Sequence, residues 1–336
     1  TYSSANYSGI AVGGNYLMAV GNNGTVAYAV SPDWIYYVGS SPSTSPSMTG
    51  VAINSTGTNF VAVGSGGAVW SGTTAQGFIS RTSGTVSSLN SVIVGNGLYM
   101  YGGVGGALAT STDSIAWTAR TFGSTSEIRG LAYASGQTNQ YVAVGAGGMI
   151  RTSTDGVTWT ARTSGTTSVL VSATYVNSTY IVGGAAVLLT STDAVTWTAR
   201  TTGSAGIFYG LAYGAGLYVV GDSSGGIYTS TDVVTWTARR SYNTSQILGL
   251  VYFNGNFVYT DSSSPSRFGY STDGINWQIG TGGPINVKTK GFAYGNGVYV
   301  AVNESATAYV STDAVKWTNV AIPYLQYAPN AVVFDG

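Results

Sequence analysis

The stretch Ser191-Thr192-Asp193-Ala194-Val195-Thr196-Trp197 decides the fold, because it does not occur once. The pattern Ser-Thr-Asp-x-x-x-Trp stands at 111–117, 153–159, 191–197, 230–236, 271–277 and 311–317, with successive aspartates 38 to 42 residues apart. Two degenerate copies come earlier. Ser31-Pro32-Asp33 has Tyr37 where the tryptophan belongs. The segment 72–78 lacks the aspartate but runs into Ser80-Arg81-Thr82-Ser83-Gly84, which matches Ala161-Arg162-Thr163-Ser164-Gly165. Self-similarity at a fixed period marks stacked supersecondary units, each unable to bury its apolar face alone.

Outward from the motif, each repeat reads as four short strands. In 210–239 these are 210–213, 217–220, 227–230 and 235–238, with a turn at Gly214-Ala215-Gly216 and a loop over 222–226. The strands are rich in Val, Tyr, Thr and Trp and are separated by glycine turns, while no stretch carries a 3.6-residue apolar period of helical length. The expectation is an all-β chain, a single β-propeller domain over 1–336 with about eight four-stranded blades. Its repeats start near 9, 50, 91, 130, 172, 210, 249 and 291. Seven blades plus extra strands is the other count. A trailing strand at 330–336 aligns Ala331-Val332-Val333-Phe334-Asp335-Gly336 with Leu250-Val251-Tyr252-Phe253-Asn254-Gly255. It is expected to pair at the ring seam or in trans, or to belong to a longer chain.

The motif resembles the Asp-box (BNR-like) repeat of sialidase-type and phage or bacterial surface propellers, and the resemblance covers nearly the whole chain. The hairpin is one residue shorter than the commonest family form, and its glycine is present only as Gly156 and Gly274. The resemblance implies that Asp113, Trp117, Asp155, Trp159, Asp193, Trp197, Asp232, Trp236, Asp273, Trp277, Asp313 and Trp317 are folding elements on the face opposite the usual ligand face. Elementary chemistry agrees: a carboxylate and a hydroxyl can accept from free turn amides, and a tryptophan can cover the blade. The sialidase catalytic set, an arginine cluster with a Tyr–Glu pair and an acid, has no match in this sequence.

Charge narrows the function classes. Twelve basic and twelve acidic side chains cancel among 336 residues, which offers no footprint for nucleic acid. No apolar run reaches membrane-spanning length, so no membrane insertion is expected. The chain has no His and no Cys, so the common general base, the thiolate nucleophile and the usual zinc ligands are missing; no metal or cofactor is implied. Six acids belong to the repeated motif, and Arg81, Arg120, Arg162, Arg200 and Arg239 recur at one repeat position, which reads as structural. Glycoside hydrolysis needs two carboxylates. Asp222, Asp261 and Glu304 share a loop in successive repeats, although solvated loop carboxylates are the plainer reading.

Repeats that depart from their siblings carry the information about ligands. The position just before each first strand, expected to ring the channel mouth, holds Ser8, Thr49, Asn90, Arg129, Val171, Tyr209, Leu248 and Lys290. Repeats six to eight diverge most, through Asp222, the insert from Asp261 to Arg267, and Glu304, with Phe208, Tyr209, Tyr242, Lys288 and Lys290 in the neighbouring links. Aromatic rings beside acids and amines suit a sugar. The expected function is therefore a non-enzymatic surface recognition module for a glycan or other cell-surface receptor, of the phage-tail, adhesin or lectin kind, at an extracellular or virion surface. A structural or assembly propeller that docks protein partners is the alternative, and a glycoside hydrolase the third.

Overall fold

The structure is a computed structural model describing residues 10–13, 16–20, 26–30, 35–39, 46–54, 56–73, 77–138, 140–240, 245–263, 267–283, 289–295, 297–303 and 307–321. It forms eight four-stranded antiparallel sheets, each built from four consecutive strands paired in chain order. The inner strands are Ile10–Gly13, Met48–Ile53, Leu89–Gly95, Ile128–Tyr133, Leu170–Val176, Phe208–Gly214, Ile247–Phe253 and Thr289–Gly295. Each lies beside the inner strand of the next sheet, and that of sheet eight lies beside that of sheet one. The contacts close a ring, so the eight sheets are the blades of a propeller. The segment 330–336 lies outside the described residues.

The second strand of each blade explains the apolar runs. Tyr141–Gly145 and Thr179–Gly184 are buried at every residue, since neighbouring blades cover both faces. The core accordingly sits between blades. Val144, Ile150 and Leu170 pack with Val182 and Leu189 between blades four and five, and Val219, Ile227 and Ile247 pack with Leu250 and Phe257 between six and seven. A recurrent first-strand tyrosine adds to the packing in blades four to eight. Tyr133 packs at a tilt against its register partner Tyr141, and Tyr213 against Tyr218, with ring centroids 5.1 and 4.5 Å apart. The ring of Tyr133 fills the space beside Gly95 of the preceding blade, where a Cβ would lie 2.2 Å from Cγ. Tyr141 then donates its hydroxyl to the Gly95 carbonyl at 2.8 Å, and burial pushes its pKa up to about 12.

The Ser-Thr-Asp-x-x-x-Trp segments are the turns between third and fourth strands. In each, aspartate Oδ1 accepts from the amides two and three residues on, at 2.8 Å from Val195 and 2.9 Å from Thr196 in the turn of Asp193. The preceding serine hydroxyl donates to the same oxygen, at 2.9 Å for Ser191. The residue after the aspartate adopts a left-handed conformation, with φ between 57° and 74° at Ser114, Gly156, Ala194, Val233, Gly274 and Ala314. Its carbonyl accepts the indole N–H in five turns, as from Trp236 to Val233 at 3.2 Å, whereas Trp117 Nε1 is buried without a partner. The recurrent arginines are structural as well: Nε of Arg120, Arg162, Arg200 and Arg239 donates to Thr110, Thr152, Thr190 and Thr229 at 2.7–2.8 Å, tying fourth strand to third.

Candidate functional site

Strands run alternately up and down within a blade, so first-to-second and third-to-fourth turns leave one face, while second-to-third loops and interblade links leave the other. The motif turns occupy the first face. The second face is shaped by an irregularity that repeats around the ring. In blade four Ile128 pairs with Gly145 and Gly130 with Val144, leaving Arg129 unpaired. The same one-residue bulge falls at Thr49, Asn90, Val171, Tyr209, Leu248 and Lys290. These are the positions the sequence placed just before the first strands. They lie inside them: each inner strand from blade two onward begins two residues earlier than the pattern indicated, because a bulge breaks the two-residue alternation that marks a strand.

A bulge leaves a carbonyl without its ladder partner, and the preceding blade supplies a donor. Asn90 Nδ2 donates to the Ile128 carbonyl at 2.8 Å and to Glu127 Oε1 at 2.9 Å. Ser172 Oγ donates to the Phe208 carbonyl at 3.2 Å, and Thr49 Oγ1 donates to the Leu89 carbonyl. Glu127 also holds Arg129, with Nε and Nη2 at 2.9 and 2.7 Å from Oε2. The Arg129 side chain remains 43% exposed. Asn90, Glu127 and Arg129 thus form one hydrogen-bonded array on this face. Two blades on, Tyr209 is exposed above a cavity of about 140 Å³ between blades five and six, lined by Ser172, Ala173, Leu188, Phe208 and Val220 among others.

Three of the expected ligand residues do not line a surface. Asp222 is buried: Oδ1 accepts from the amides of Ser224 and Gly226, both at 2.8 Å, and Oδ2 accepts from the Ser204 hydroxyl. Asp261 is buried likewise, accepting from the amides of Ser263 and Arg267 at 3.1 and 3.0 Å and pairing with Arg267 Nε at 3.2 Å. Both aspartates close their own second-to-third loop, at a register position that is glycine (Gly64, Gly103, Gly145, Gly184) in blades two to five. A carboxylate committed to two amides is a loop staple, so the reading of Asp222 and Asp261 as ligand contacts or as a hydrolytic pair is corrected. Phe208 is buried against Tyr228 and contributes its carbonyl and one wall of the cavity. Arg267 is half-exposed and serves Asp261. Tyr242, Lys288 and Glu304 lie outside the described residues, and Lys290 is placed by its backbone only. Glu127 belongs to no repeated motif and is not among the residues the sequence singles out. Its spacing of two from Arg129, on the link into a bulged strand, is the signal that pairs them.

No family model matches the chain, and no curated protein matches it by sequence. Solved structures do. The protein is similar to Sqt1 of Saccharomyces cerevisiae at 10% identity and a TM-score of 0.70, over 95% of this chain and 100% of that one. It is similar to YCF48 bound to D1 peptide at 16% identity and a TM-score of 0.58, over 75% and 87%. It is similar to virginiamycin B lyase of Staphylococcus aureus at 14% identity and a TM-score of 0.62, over 75% and 90%. At such identities the likeness is one of fold: propellers that serve different ends share this frame.

Proposed function

We propose that the protein is a non-enzymatic recognition propeller that docks a segment of a protein partner on the bulged face. The observation that carries this reading is the cavity beneath Tyr209, whose mixed lining of Ala173, Leu188 and Val220 with Ser172 suits one aliphatic anchor side chain. The array of Asn90, Glu127 and Arg129 then supplies donors and an acceptor for the partner's polar groups. The peptide held by YCF48, a propeller of like fold, supports a partner of this size. The repeated turns, read as Asp-box elements, build the ring and leave recognition to the other face.

A panned peptide library tests it. Peptides enriched on the wild-type protein should lose at least tenfold in affinity on Arg129→Ala/Tyr209→Ala, with thermal stability unchanged. Enriched peptides that bind the double variant equally well would refute the assignment. A second reading keeps the same face but takes a glycan at an extracellular or virion surface, and the exposed ring of Tyr209 favours it as a stacking platform. Binding on a glycan array that disappears with Tyr209→Ala would select that reading.

A further inference from the structure

Among the described residues the charges that cancel in the sequence are separated in space. Among the described residues of the turn face the acids are the six motif aspartates, every one exposed, and the cation is Lys316. All nine arginines lie on or toward the bulged face, at strand ends and interblade links; Arg129 is exposed and the other eight are half-buried. The three acids described on that side are neutralised or enclosed: Glu127 by Arg129, and Asp222 and Asp261 inside their loops. The described residues therefore give the disc an acidic face and a basic face.

The acidic face also carries an apolar residue that the fold does not require. Two residues after each motif aspartate stand Ile115, Val157, Val195, Val234, Ile275 and Val315. The first five are 40–52% exposed. The turn uses only the amide at this position, as in Val157 N to Asp155 Oδ1 at 2.8 Å, and an amide comes with any residue but proline. The next position is unrestricted, with Ala116, Thr158, Thr196, Thr235, Asn276 and Lys316. A branched apolar side chain present in six turns of six and exposed in five, beside six carboxylates, is a docking ring.

We propose that its occupant is the basic face of a second copy of this chain, stacked head to tail. Charge excludes the symmetric alternative, since two turn faces would bring six carboxylates against six. The complementary surface is this molecule's own. Arg81, Arg120, Arg162, Arg200 and Arg239 recur in blades two to six, one to a blade and at the same angular step as the aspartates, and the bulged face offers exposed Val86, Val104 and Tyr209 to the aliphatic ring. Such a contact is heterologous and propagates coaxially. It covers the bulged face of every copy but the last, so stacking and partner docking compete.

Sedimentation velocity of the full chain at 50 and 500 mM NaCl decides the matter. The wild-type protein should form species larger than a monomer at 50 mM, with size rising with concentration, and dissociate at 500 mM, where charges are screened within a few ångströms. Thr158→Lys/Thr196→Lys/Thr235→Lys should be monomeric at 50 mM with an unchanged melting temperature, because Lys316 already occupies that position in blade eight. Should the triple lysine variant fail to fold, Val195→Asn/Val234→Asn takes its place, with the same expected loss of assembly. A wild-type monomer at every concentration and both salts would overturn the proposal. So would an assembly that persists in the folded variants, or one that forms only with a different, basic protein.

Discussion

At the scale of single residues, the motif aspartates act as turn acceptors with a pH signature. Amides two and three residues on and the serine hydroxyl hold the carboxylates of Asp113, Asp155, Asp193, Asp232, Asp273 and Asp313 below the usual aspartate range. A folded pKa below the unfolded one contributes stability above the unfolded value, near 3.8, and loses it as pH falls through the folded value. The melting temperature should therefore be flat from neutral pH to about 5 and drop between about 4 and 2. A melt unchanged at pH 2.5 would contradict this. Asp193→Ala removes one acceptor from two amides and the Ser191 hydroxyl; because the site is solvated, the cost should be about 1 kcal/mol in urea unfolding. Recognition on the far face should not change.

At the scale of elements, two glycines of one loop separate space from backbone conformation. Gly145 is extended, at φ −179°, and a Cβ there would lie 1.8 Å from the Glu127 carbonyl oxygen. Gly147 has φ +68° and open space around it. Gly145→Ala should cost about 3 kcal/mol or more and perturb the link carrying Glu127 and Arg129. Gly147→Ala should cost about 1–2 kcal/mol, the left-handed penalty alone. Equal effects in denaturant unfolding would show that the link does not press on the strand end. Asn90→Ala probes the other end of the bulge, leaving the Ile128 carbonyl without its interblade donor, and should cost about 1–2 kcal/mol. The strands themselves were legible from Ser191-Thr192-Asp193 onward, since alternation and glycine turns are local signals. The bulges were not. A bulge is defined by the pairing partner, so Arg129 and Tyr209 could be singled out as unlike their siblings but not placed within their strands. Asp222 and Asp261 misled for a similar reason, because a loop carboxylate facing solvent and one folded back onto Gly226 or Arg267 have the same sequence.

At the scale of the molecule, eight repeats close a ring in which each inner strand needs two neighbours. The ring and its period could be read from the repeat alone. The division of charge between the faces could not, because composition sums what the alternation of strand direction sorts. Ending the chain before Thr289 would strip the inner strands of blades seven and one of a neighbour, and such a chain should bind a hydrophobic dye and lose its single unfolding transition. The central claim is that recognition belongs to the bulged face rather than to the repeated turns. Hydrogen exchange with a library-selected peptide bound tests it most directly. New protection is expected in the inner strands and links around Asn90, Glu127–Arg129 and Phe208–Gly210, with none gained in the six motif turns. Protection confined to the turns of Asp113 to Asp313 would contradict it.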